Sequence, residues 1–137
     1  TRKESSAASD VYKRQVYGEV HNSIIGSGVV IGEGSVIRDS IIMKDTRVGK
    51  NCVMDKAIIA ENVVIGEKCT IGTGEYAESK LDTRVYASDL VVIGENSTVP
   101  SNVTVGRNVA ISGKTVISDY PDGKLESGDY IIKAGEI

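Results

Sequence analysis

The chain has 137 residues, 40% of them apolar, with 15 glycines and neither Trp nor Phe, which allows one domain at most and requires a core of aliphatic side chains. Its 16 Lys and Arg against 19 Asp and Glu leave a formal charge of −3, and the basic residues are scattered rather than striped, so no nucleic-acid partner is expected. No apolar run approaches the roughly 18 residues of a membrane span and no signal peptide with an apolar centre is present, so the sequence reads as a cytoplasmic protein with no membrane partner.

Residues 1–15 share no pattern with the rest of the chain. The string Ser5-Ser6-Ala7-Ala8-Ser9-Asp10-Val11-Tyr12-Lys13-Arg14-Gln15 resembles the in-frame translation of a transposase-based sequencing-library adapter at every position. Residues 1–15 are therefore expected to be a disordered, non-native leader, with natural sequence starting near Val16 inside a larger protein; a polar natural linker is the alternative.

From Val16 onward a period of 17 takes over. Asn22-Ser23-Ile24-Ile25 returns as Asp39-Ser40-Ile41-Ile42 and as Lys56-Ala57-Ile58-Ile59, while Ile31-Gly32, Val48-Gly49 and Ile65-Gly66 repeat at the same interval. Within each repeat the aliphatics step by six, six and five: Ile25, Ile31, Ile37; Ile42, Val48, Met54; Ile59, Ile65, Ile71. A helix needs apolar steps of three and four, and a hairpin sheet needs turns at irregular intervals, so neither fits. A three-sided parallel β-helix does, with one aliphatic per side pointing inward and coils stacked at the roughly 4.8 Å strand spacing.

Three residues after each aliphatic the chain must turn, and the sequence places Gly28, Gly34, Asp45, Asn51, Asn62 and Lys68 there; Gly, Asn and Asp tolerate a left-handed backbone at least cost. The next position is small or β-branched, as in Val29, Ser35, Thr46, Cys52, Val63 and Cys69, which suits a cramped inner corner. Cys52 and Cys69 thus stack on adjacent coils as core thiols; parallel Cα–Cβ vectors suit a disulfide poorly, and no His or further Cys completes a zinc site. Glu33, Lys50 and Glu67 stack on an outer face, where exposed pairs contribute roughly 0–1 kcal/mol. The glycine pairs Gly26-Ser27-Gly28 and Gly32-Glu33-Gly34 are read as corners, and neither they nor Gly72-Thr73-Gly74 as a phosphate loop.

Residues 72–92 interrupt the repeat. It then resumes in steps of six as Ile93, Val99, Val105, Ile111 and Ile117, with corners at Asn96, Asn102, Asn108 and Lys114. The β-helix domain is expected over 16–137, carrying an excursion loop at 72–92 and a tail at 118–137 that folds back to cap the end, Tyr120-Pro121-Asp122-Gly123 included. The fold class is all-β, a single-stranded parallel β-helix; its left hand is implied by its resemblance to hexapeptide-repeat prisms.

The succession of Gly18-Glu19-Val20-His21-Asn22-Ser23-Ile24-Ile25, Val36-Ile37-Arg38-Asp39-Ser40-Ile41-Ile42-Met43, the interruption with Gly74-Glu75, Asp82 and Val85-Tyr86, and the end Val105-Gly106-Arg107-Asn108 resembles the C-terminal domain of bacterial glucose-1-phosphate adenylyltransferases. The five-residue third side sets it apart from hexapeptide acyltransferases, which keep strict sixes. The resemblance implies an oligomerising and regulatory β-helix whose chemistry, ATP and glucose 1-phosphate to ADP-glucose and pyrophosphate with Mg²⁺, belongs to a missing N-terminal catalytic domain. It also implies a homo- or hetero-tetramer in glycogen synthesis.

No residue of this chain is assigned a catalytic, cofactor-binding or metal-binding role. Arg38, Arg47, Arg84 and Arg107 are read as solvated charges before anion contacts. A hexapeptide acyltransferase is the rival and would need His21 as its base; a non-catalytic regulatory paralogue of the same assembly is the other alternative. A carbonic-anhydrase prism needs three His ligands and is excluded by the single His.

Overall fold

The computed structural model describes residues 15–81, 88–120 and 122–133. Its geometry is set at the corners. Gly28, Gly34, Asp45, Asn51, Asn62, Lys68, Asn96, Asn102, Asn108 and Lys114 all hold φ between 57° and 79°, the left-handed conformation expected of them. The third corner, on the five-residue side, turns at Asn22, Asp39 and Lys56 with φ of 49°, 50° and 56°. Between corners the chain has room for strands of only two to four residues.

These strands stack in three parallel sheets. Side one carries Gln15–Val16, Val30–Ile31, Arg47–Val48, Val64–Ile65 and Thr98–Val99. Side two carries Glu19–His21, Val36–Arg38, Val53–Asp55, Thr70–Ile71, Thr104–Val105 and Lys124–Leu125. Side three carries Ile24–Ile25, Ile41–Ile42, Ala57–Ile59, Val91–Ile93, Val109–Ser112 and Tyr130–Ile132. Each strand pairs with the strands directly below and above it, so equivalent residues lie in columns.

The inward columns are the expected ones. Ile31, Val48 and Ile65 share one, Ile37, Met54 and Ile71 a second, and Ile25, Ile42 and Ile59 a third, each buried. The ten small or β-branched corner residues from Val29 to Thr115 are 2% exposed or less. Hydroxyls at this inner corner also tie the coils together: Ser35 Oγ donates to the Gly49 carbonyl at 2.7 Å and accepts the Cys52 N–H at 3.0 Å. Thr46 Oγ1 does the same with Ala60 O and Val63 N–H, at 2.8 and 3.2 Å. A buried polar group so paired costs little.

The repeated glycines after Ile31, Val48 and Ile65 are explained by contact. A Cβ on Gly32 would meet the Gly49 carbonyl carbon at 2.7 Å, and one on Gly49 would meet that of Gly66 at the same distance. Backbones of successive coils touch there, which leaves no space for a side chain.

Four boundaries differ from the sequence expectation. Gln15 belongs to the prism, since it pairs with Val30; residues 1–14 lie outside the described residues. The excursion closes at Leu90, because Val91–Ile93 already stacks on Ala57–Ile59. Ile117 keeps the step of six but does not face inward: it is 63% exposed, in a 3-10 turn over Ile117–Asp119. Tyr120 enters the core in its place, 7% exposed, with its hydroxyl 2.8 Å from Thr115 Oγ1. A ring fills that end of the prism better than an aliphatic, and burial pushes its phenol up to about 12. Finally, the described part of the tail continues the coil instead of folding back. Lys124–Leu125 stacks on Thr104–Val105 and Tyr130–Ile132 on Ala110–Ser112, adding a further coil, with Leu125 and Ile131 packed against the core.

Candidate functional site

Three places can carry function: the excursion and its anchors, the thiol pair, and the outer faces. Ile59 pairs directly with Ile93, so the excursion inserts one full repeat length between stacked coils, as the Asn62 Nδ2 to Asn96 Oδ1 bond across 34 positions also records. Gly72 and Thr73 N–H both donate to the Val105 carbonyl, at 2.9 and 3.2 Å, so these two amides are spent on the prism rather than on a phosphate. Asp82, Arg84, Val85 and Tyr86 lie outside the described residues.

Arg107 is the main clamp. Its Nε donates to the Gly74 carbonyl at 2.8 Å and its Nη2 meets Asp55 Oδ2 at 3.1 Å, with both side chains largely buried. It is therefore not the solvated charge that the sequence suggested. Asn108 Nδ2 adds a bond to Ala77 O at 3.0 Å, Lys80 pairs with Asp129 at 2.6 Å, and Lys56 pairs with Asp89 at 3.0 Å. The Lys56 ammonium holds the Asp89 carboxyl below the usual carboxylate range. Arg38 and Arg47 are exposed on sides two and one.

Cys52 and Cys69 are free and buried, as stacked core thiols. Cys52 Sγ donates to Gly66 O at 3.0 Å and Cys69 Sγ to Pro100 O at 3.1 Å, taking the corner role that hydroxyls play elsewhere. The hydrogen bond with Cys52, and then burial, push the Cys69 thiol well above its ordinary value. Both thiols pack at the inner corner between successive coils. His21 is exposed on the first coil with Nε2 3.1 Å from Glu19 Oε1. Among the described residues no three His, Cys, Asp or Glu side chains converge on a point where a metal could sit.

The outer faces differ sharply in chemistry. Side one presents Gln15, Val30, Arg47, Val64 and Thr98, and side two presents Glu19, Val36, Val53, Thr70, Thr104 and Lys124. On side three Ile24, Ile41, Ile58, Val92, Ala110 and Tyr130 stand one above another, apolar at every coil, with Ala110 buried. The sequence carried the signal as doubled aliphatics, Ile24-Ile25, Ile41-Ile42, Ile58-Ile59 and Val92-Ile93. Glu33, Lys50 and Glu67 do stack in register through Asn51 N–H to Glu33 O and Lys68 N–H to Lys50 O, yet no ion pair joins them among the described residues.

The profile of the GlmU-like, C-terminal hexapeptide family matches residues 13–93, which spans all the coils before the excursion and the first strand after it. The chain belongs to that family. Among curated relatives of this hexapeptide domain, the glucose-1-phosphate adenylyltransferase of Lachnospira eligens is 69% identical over 122 residues, covering 89% of this chain and 29% of that protein. That of Thermotoga neapolitana is 55% identical over 122 residues, again 89% and 29%. That of Thermotoga maritima is 57% identical over 118 residues, 86% and 28%. The chain thus spans less than a third of the length of the relatives it matches, in their C-terminal part.

Among solved structures, the acetyltransferase domain of PglB from Neisseria gonorrhoeae, in complex with acetyl coenzyme A, superposes with a TM-score of 0.60 at 18% identity, over 98% of this chain and 62% of that one. At that identity the likeness concerns the fold alone. No helix among the described residues is long and apolar enough to cross a membrane.

Proposed function

We propose that this hexapeptide domain is the non-catalytic C-terminal β-helix of a cytoplasmic glucose-1-phosphate adenylyltransferase, with its role in assembly and regulation of the parent enzyme. The observation that carries this reading is the 69% identity to the Lachnospira eligens enzyme across 89% of the chain. In the parent enzyme, ATP and glucose 1-phosphate would give ADP-glucose and pyrophosphate with Mg²⁺ bound by upstream residues. The described side chains do not fit that ion, since no acidic cluster forms among them, and no step of the transfer is assigned to this chain. The proposed parent works in glycogen synthesis as a homo- or hetero-tetramer, and the β-helix meets its own upstream domain.

The rigidity of the prism supports a scaffold role. Short strands, buried columns and hydroxyl ties leave little that could move, and the excursion is pinned by Arg107, Asn108 and Lys80. His21, which acyl transfer would require as its base, lies on the exposed surface of the first coil beside Glu19.

A two-part assay tests the proposal. The 137-residue chain alone should form no ADP-glucose from ATP and glucose 1-phosphate, and placing residues 16–137 behind the upstream part of the Lachnospira eligens enzyme should give turnover. Acetyl transfer from acetyl coenzyme A by the chain alone, lost in His21→Ala, would overturn it.

A further inference from the structure

Two parts of the otherwise rigid prism bury little of their own. Over 74–81 of the excursion no apolar side chain is fully buried, and Ser79 is the one buried residue. Over 122–133 Gly128 alone is buried, while Leu125 and Ile131 are packed against the core only in part. Ile37, Ile59, Ile71, Ile93 and Ile111 beneath them are 1% exposed or less. Elements with so little apolar burial are held by their polar contacts, and here those contacts share one residue.

That residue is Arg107. Its main chain carries the last coil: the N–H donates to Ser127 Oγ and the carbonyl accepts the Gly128 N–H, both at 2.9 Å. Its side chain holds the start of the excursion at Gly74 and reaches down to Asp55, which lies three rungs below Lys124–Leu125, about 14 Å along the stack. Gly72, on the rung between Asp55 and Arg107, has no side chain to stand in the way. The third guanidinium nitrogen, Nη1, is buried without a hydrogen-bond partner among the described residues. An unpaired buried donor costs free energy, so the docked arrangement lies closer to opening than a fully paired arginine would leave it.

The excursion and the last coil also meet each other directly. Asn108 Nδ2 donates to the Ala77 carbonyl at 3.0 Å, the Lys80 N–H donates to the Gly128 carbonyl at 2.9 Å, and the Lys80 ammonium pairs with Asp129 at 2.6 Å. The Glu78 carbonyl lies against Gly128 where a Cβ would collide with it. A corner without a side chain thus lets the excursion cross the last coil at backbone contact.

We propose that Arg107 is a latch that joins the excursion and the last coil into one cooperative unit, which opens from the prism as a whole while the coils below stay folded. A shift imposed on the excursion is thereby passed to the last coil, and linkage requires the reverse as well. The latch is a property of this chain by itself and holds whatever the parent enzyme does.

Two readings on the 137-residue chain test it. Ser79→Cys places a buried thiol in the excursion, while Cys52 and Cys69 stay shielded in the core, so the rate of maleimide labelling reports opening of the excursion. Amide exchange in Lys124–Leu125 and Tyr130–Ile132 reports opening of the last coil. Asp55→Ala, added to Ser79→Cys, removes the acceptor of Arg107 Nη2 three rungs away from that coil. Labelling and last-coil exchange should both rise about tenfold, by the same factor, with exchange in Ile41–Ile42 unchanged.

The reverse perturbation starts at the other end. Asp119 bonds Val116 and Lys133 rather than the excursion, and Asp119→Asn should nonetheless raise Ser79→Cys labelling by the factor it raises last-coil exchange. A rise in one reading without the other, in either variant, overturns the proposal, because the two parts would then open independently. Asp55→Ala that moves neither reading overturns it as well, since the guanidinium would then hold nothing. Faster exchange in Ile41–Ile42 to the same degree would also overturn it, by showing that the whole prism opens.

Discussion

Lys68 sits at a corner with φ of 60°, between Asn51 below and Asn102 above, which turn at 59° and 63°. A lysine has no local hydrogen bond with which to offset the left-handed conformation, whereas Asn enters it routinely and can join a side-chain ladder of the kind formed by Asn62 and Asn96 at 2.7 Å. Lys68→Asn should therefore stabilise the prism by about 1 kcal/mol, seen as a higher midpoint of thermal unfolding. A lower midpoint would mean that the lysine contributes something beyond its backbone. The inward columns behave oppositely. Val48 is 3% exposed between Ile31 and Ile65, so Val48→Asp buries a charge with no partner in reach and should cost several kcal/mol, enough to remove a cooperative melt.

At the scale of elements, the last coil is held differently from the others. Among the described residues no strand of side one continues above Thr98–Val99; the 3-10 turn takes its place, and Asp119 links that turn to the final strand. Its carboxylate accepts the Val116 N–H at 2.7 Å and the Lys133 ammonium at 3.1 Å, which together hold its carboxyl below the usual carboxylate range. A depressed folded value gives stability that is present in full above the unfolded value of about 4 and is lost as pH falls through the folded one. Asp119→Asn should thus speed amide exchange in Lys124–Leu125 and Tyr130–Ile132 at neutral pH, and the gap between variant and parent should close in acid. Equal exchange at pH 7 would show that core packing by Leu125 and Ile131 holds the coil unaided.

At the scale of the whole molecule, the first described coil presents an open rung. Among the described residues, Gln15–Val16, Glu19–His21 and Ile24–Ile25 each pair on one side only, leaving a row of backbone groups and partly buried Val16 and Val20 at the edge. Such an edge pairs with other chains. The 137-residue chain should therefore self-associate as concentration rises, followed by light scattering, and the fusion to an upstream part should suppress this. A chain that stays monomeric at high concentration would mean that its first rung is already capped.

The period of 17, the inward columns, the left-handed corners and the stacked thiols were all legible in the sequence, because each coil repeats the last and a repeated constraint leaves a repeated residue. The third corner at Asn22, Asp39 and Lys56 was less plain, since it follows its inward aliphatic by two residues where the other corners follow by three. Where repetition stops, sequence stops deciding. Ile117 keeps the step of six and still faces solvent, because Tyr120 competes for the same space and only the packed end of the prism shows which side chain fills it. Arg107 reads as one more surface charge until the excursion brings Gly74 to one side of it and the stacking brings Asp55 to the other. The column on side three was present as doubled aliphatics, but in strands two or three residues long either member can face the core. The stacking of all three sides settled which did, and with it which face was left uncovered.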